Sequence, residues 1–106
     1  MSPRRVITTR QADADIKEAV DHYQDQGAPE AALGFVDNLE DTIALLSEHP
    51  NLGSTRFAVE TNIPEMRALT LQRFPYIAFY TENADTIRIH RVLHTARDIP
   101  SRLSDD

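Results

Sequence analysis

Apolar side chains in the first half of the chain recur at helical spacing, and in the second half they alternate. Val6 and Ile7 form a short apolar segment. Thr8, with Gln11 three residues on, has the spacing of a capping box, so a strand is predicted to run directly into a helix. From Ala12, apolar residues follow at Ile16, Ala19, Val20 and Tyr23, while Asp13, Asp15, Lys17, Glu18 and Asp21 fill the other positions. This amphipathic helix is expected to end near Gly27. Pro29 suits the first turn of a second helix, in which Ala32, Phe35, Val36, Leu39, Ile43 and Leu46 form one stripe before Pro50 and Gly53 stop it. A tight turn between the two makes a helical hairpin.

After Gly53 the period changes from 3.6 to 2, and β-branched and aromatic residues gather in three runs: Met66 to Leu71, Tyr76 to Thr81 and Thr86 to Leu93. Phe74-Pro75 marks a break between the first two runs, and Glu82 to Asp85 has the length of a hairpin loop. Arg56 to Val59 is expected to add a short edge strand. Asp98 is expected to cap a last helical turn containing Pro100 and Leu103. The predicted fold is therefore α+β: an N-terminal strand, a helical hairpin, then an antiparallel sheet of three to four strands with one face under the hairpin. The other face is expected to be open to a partner.

A length of 106 residues fits a single domain spanning 1–106. The longest apolar run, Ile43 to Leu46, is far too short to cross a bilayer, and no apolar stretch of signal-peptide type follows Arg4 and Arg5. With no cysteine, the core holds by packing alone, which fits a cytoplasmic location. The net charge of −6 is unevenly distributed: residues 1 to 53 carry 4 basic and 10 acidic residues, and residues 54 to 106 carry 7 of each. All 7 bases of the second half are arginines, which suit bidentate pairing more than a diffuse cationic field. A negative chain opposes binding driven by counterion release, so direct sequence-specific nucleic-acid binding is not expected.

His90 and His94 stand four residues apart, a metal-ligand spacing on a helix but about 13 Å in a strand. The alternation of Ile87 and Ile89 places them in a strand, so no metal site is expected. A metal-free ribonuclease needs a general base, a general acid and cations on the scissile phosphate. His94, Glu65, Arg67, Arg73, Arg91 and Arg97 include the side-chain types for those roles. The competing structural roles are a solvated sheet position for Arg67 and Arg88 and a local pair for Arg97 with Asp98. Arg91 shares strand parity with Ile87, Ile89 and Leu93, which makes it half-buried and paired with Asp98. Three glycines, at 27, 34 and 53, cannot build a phosphate-cradling or dinucleotide loop, so no cofactor is expected.

Several of these residues together are similar to a known family. They are Ala12, Asp15, Ile16 and Tyr23 in the first helix, Phe35, Leu39, Leu46, Pro50 and Gly53 around the second, Arg67, and the stretch from Phe74 to Ile99. The chain resembles the ParE-type toxins of the RelE/ParE superfamily, from type II toxin–antitoxin modules, and RVLHTARDI, Arg91 to Ile99, is the most specific part of the match. The resemblance implies a growth-inhibiting toxin held by a ParD-like antitoxin in a hetero-oligomer, with DNA gyrase as its target and no catalytic residue. RelE-like members instead cleave mRNA on the ribosome, using basic sheet residues and a C-terminal Tyr or His-Tyr. This chain departs from that pattern in its single lysine, its net charge, and the Thr95-Ala96 that follow His94, with no tyrosine after Tyr80. Target-contact candidates drawn from the resembling stretches are Arg67, Arg91, His94, Arg97 and Asp98. The alternatives are a RelE-type endoribonuclease using His94, Arg67 and Arg91, and a degenerate toxin that only binds its antitoxin.

Overall fold

The computed structural model describes residues 4–56, 58 and 62–96. The elements run β1 (Arg5–Thr8), α1 (Arg10–Asp25), α2 (Pro29–Glu48), β2 (Arg67–Thr70), β3 (Tyr76–Glu82) and β4 (Thr86–His94). This is the predicted α+β order. One difference concerns the sheet, which is mixed: its spatial order is β1-β4-β3-β2, with β1 parallel to β4 and the other pairs antiparallel. Parallel neighbours need a long crossover, and the helical hairpin with β2 and β3 supplies it. Of the expected edge strand from Arg56 to Val59, the described residues Arg56 and Ala58 are not in a strand, and Phe57 and Val59 lie outside the described residues. Ser54 makes a lone bridge to Ala68, and the Ala58 N–H donates to Thr55 C=O.

The helix ends follow from local chemistry. Thr9, one residue after the predicted cap, starts α1: its hydroxyl accepts from the Ala12 N–H at 3.1 Å and donates to the His90 carbonyl at 2.9 Å. Thr8 bonds Asp13 instead. Gly27 takes φ +70°, and the N–H groups of Gly27 and Ala28 return to the carbonyls of Gln24 and Tyr23, the paired bonds of a Schellman ending. Pro29 then occupies the first position of α2, where its missing N–H has no helical partner to lose.

The hairpin packs on one face of the sheet. Ala12, Ala19, Phe35, Leu39 and Leu46 meet Ala78, Tyr80, Ile87, Ile89 and Val92, with Tyr23, Phe35, Phe74 and Tyr76 in an aromatic group whose ring centroids are 4.9–6.5 Å apart. Each fully buried large side chain contributes on the order of 1.5–3 kcal/mol. The other face, expected to be open, is only partly so. Met66, Ala68, Ile77, Phe79 and Leu93 form a second buried cluster there, with Ile63 packed against it. Residues 76 to 80 are consequently all buried, as befits a central strand covered on both sides. No described helix is long and apolar enough to cross a membrane.

Candidate functional site

The register of β4 changes once, and that change governs the candidate residues. Phe79 faces Arg91 and Tyr80 faces Ile89, so His90 is the extra residue of a β-bulge. Strict alternation fails at that point: Ile89 belongs to the cluster under the helices and Leu93 to the cluster on the other face. The single parity read for Ile87, Ile89, Arg91 and Leu93 therefore breaks at Leu93. The Arg91 guanidinium reaches α1, on the side of Ile87 and Ile89, where Nε and Nη2 donate to the two carboxylate oxygens of Asp15 at 2.8 and 2.9 Å. Asp15 Oδ2 also accepts the Val92 N–H at 3.0 Å. The pair is largely dry, with side-chain exposures of 15% for Arg91 and 5% for Asp15. Arg91 is indeed largely buried, and the described partner is Asp15; Asp98, the expected one, lies outside the described residues, as do Arg97 and the proposed last helical turn.

Arg67 also serves the fold. It stands opposite Tyr80, and its Nη1 donates to the Gly53 carbonyl at 2.8 Å and, at the long distance of 3.4 Å, to that of Asn51. The Tyr80 hydroxyl completes this joint: it donates to the Pro50 carbonyl and accepts the Gly53 N–H, each at 2.8 Å. Burial raises the Tyr80 pKa above its ordinary 10.0, against the opposing pull of the Gly53 N–H and the Arg67 charge. Gly53 is required by close approach, since a Cβ there would lie 2.6 Å from the Tyr80 oxygen.

His94 stands opposite Tyr76 at the end of β4. Its ring meets the buried Tyr76 ring edge-on at 5.2 Å, and Nδ1 accepts the Ala96 N–H at 3.1 Å. His90 faces Thr81, its Nε2 lying 2.8 Å from the hydroxyl oxygen. Glu65 is exposed in the loop before β2. Arg73 is exposed at the bend before β3, where its backbone N–H donates to Asn38 Oδ1 at 3.0 Å.

The fold thus distributes these residues across the sheet. Arg67, Arg91 and His94 occupy three different levels of the register, and each is engaged by a different part of the structure. Sequence reasoning missed Asp15 as a partner for Arg91, although a signal was present: it lies three residues after Ala12 and four before Ala19, on the buried side of α1. An acid on an apolar stripe is expected to have a buried counter-charge.

Comparison with known proteins agrees with this architecture. The profile of the ParE toxin of type II toxin–antitoxin systems (parDE) matches residues 6–99. A solved structure described as the chromosomal ParDE TA system from P. aeruginosa is similar to the chain, with 31% identity, a TM-score of 0.71, and coverage of 86% of this chain and 95% of that one. No curated protein matches. The fold and sequence together define a small toxin of a type II toxin–antitoxin system. Within that class the chain belongs to the ParE toxin family.

Proposed function

We propose that this ParE-type toxin inhibits DNA gyrase as a protein inhibitor and is neutralised by a ParD-like antitoxin. The observation that carries this reading is the match to the ParE toxin family over residues 6–99, together with the likeness to a structure of a ParDE TA system. The charge supports it too: a net −6 suits a protein target better than ribosomal RNA. Arg67 and Arg91, two of the cations a nuclease would use, are held by Gly53 and Asp15, so the target-contact assignment falls to His94 with Arg97 and Asp98. The toxin acts in the cytoplasm and is stored as a hetero-oligomer with its antitoxin.

The test is a supercoiling assay with purified toxin, gyrase, ATP and relaxed plasmid. The expected result is a dose-dependent loss of supercoiling, or trapped cleaved plasmid, relieved by the ParD-like partner. Gyrase that works unhindered across the titration overturns the proposal and moves the weight to ribosomal mRNA cleavage or to a toxin that has lost its activity.

A further inference from the structure

The sheet face away from the helices has two unlike ends. One end is the buried apolar cluster around Phe79. At the other end, β1 and β4 bring Arg5 and Arg88 onto that same face: Arg5 is paired with Thr86, Ile7 with Arg88, and Val6 and Ile87 between them point to the helices. Arg5 and Arg88 are both exposed, and neither guanidinium makes a hydrogen bond or ion pair with a described residue. Diagonal neighbours on adjacent strands lie roughly 7–8 Å apart. Thr81 stands across β4 from Ile7, opposite Arg88, and its hydroxyl meets the His90 ring, so the row continues with polar groups.

We propose that this strip docks an acidic peptide segment of a protein partner, in extended form, with carboxylates two residues apart placed on Arg5 and Arg88. In a strand, side chains at i and i+2 share a face about 6.6 Å apart, close to the diagonal spacing of the two strand positions that carry Arg5 and Arg88. Arginine forks bind carboxylates bidentately. The surroundings favour discrete carboxylates over a continuous phosphate chain. Exposed Asp85 stands at the hairpin end of the strip, its carbonyl bonded to the Arg5 N–H, and the chain as a whole carries −6, so a polyanion running past the two arginines meets repulsion. The site is independent of the gyrase reading, and the two experiments fail separately.

The test uses the full isotope-labelled chain and an end-capped peptide of alternating Glu and Thr, titrated to millimolar concentration at low salt while the arginine Nε–H and backbone signals are followed by NMR. Shifts are expected at Arg5, Arg88 and their strand neighbours, and a peptide with Gln for Glu should produce none. The double variant Arg5→Gln, Arg88→Gln should bind roughly threefold to tenfold more weakly, while Arg73→Gln, which removes an exposed charge elsewhere, should bind about as the parent does. Neither substitution of the double variant removes a side-chain hydrogen bond or ion pair with a described residue, so the melting curve should be unchanged. The proposal is overturned by absence of shifts, by shifts centred elsewhere, by equal binding of the Gln peptide, or by a single-stranded oligonucleotide of equal length binding the strip more tightly than the peptide.

Discussion

On the β4 side, α1 meets the sheet through a carboxylate: Asp15 holds the Arg91 guanidinium at two points and caps the Val92 N–H, where β4 has run past the end of β1. On the β2 side, the segment after α2 meets the sheet through a phenol: Tyr80 bonds Pro50 and Gly53, and Arg67 adds a bond to the Gly53 carbonyl. Both joints satisfy backbone groups that would otherwise be buried without partners. They differ in how they fail. Losing half of a dry ion pair strands a charge, whereas losing half of a neutral bond strands only a dipole. The β4 joint should therefore tolerate the least change.

Removing Asp15 is the most severe way to break that contrast. Asp15→Ala takes the two carboxylate bonds from the largely buried Arg91 and the acceptor from the Val92 N–H, at an expected cost of about 3–5 kcal/mol. Thermal melting should drop by more than about 10 °C. Asp15→Asn retains an acceptor and should recover part of the loss. In a double-mutant cycle with Arg91→Ala, coupling of at least about 1.5 kcal/mol is expected. Additive losses would mean that the pair is dispensable and that the two joints are equivalent.

The β2 joint is next. Gly53→Ala forces a methyl to 2.6 Å from the Tyr80 oxygen, so either the loop or the ring must move, costing on the order of 1–3 kcal/mol and the bonds at Pro50 and Gly53 with it. Tyr80→Phe removes the hydroxyl without adding bulk. It should cost about 1–2 kcal/mol in chemical denaturation, mainly through the unpaired Gly53 N–H. It also sharpens the comparison through pH. Because burial raises the Tyr80 pKa in the folded state, the unfolded chain ionises first, so this contribution to stability is complete below pH 10.0 and is lost as pH rises above it toward the folded value. Tyr80→Phe should flatten that alkaline limb relative to the parent, and an unchanged limb would show that other groups cause it.

The two joints also differ in how far they could be read from the chain. Helical and alternating periods gave the six elements in order, because each buries one regular face. The bulge at His90 carries no local sequence mark, and one extra residue in β4 is enough to invert every parity beyond it. For that reason the sequence did not pair Arg91 with Asp15, although Asp15, an acid on the buried stripe of α1, did carry a readable mark. The parallel placement of β1 beside β4 is a tertiary choice that no short-range pattern encodes. The Tyr80 joint was equally hidden: Pro50 and Gly53 read as helix-stopping residues, and the requirement at Gly53 comes from an aromatic ring 27 positions away. Arg5 and Arg88 become neighbours only once that parallel pairing exists.

Arg67 gives the smallest effect and the one that separates stability from toxicity. Its bond to the Gly53 carbonyl is partly solvated and Tyr80 holds the same loop without it, so Arg67→Ala should cost only about 1 kcal/mol. Arg67→Lys can still reach the carbonyl with one donor and should cost less. Measured beside gyrase supercoiling at a temperature where both variants are fully folded, this pair distinguishes a brace from a contact. If Arg67 acts only by holding the loop, inhibition by both variants stays near the parent value once the folded fraction is equal. A loss of inhibition in Arg67→Ala that exceeds its loss of stability, and is not recovered by lysine, would assign the planar guanidinium itself to the target surface.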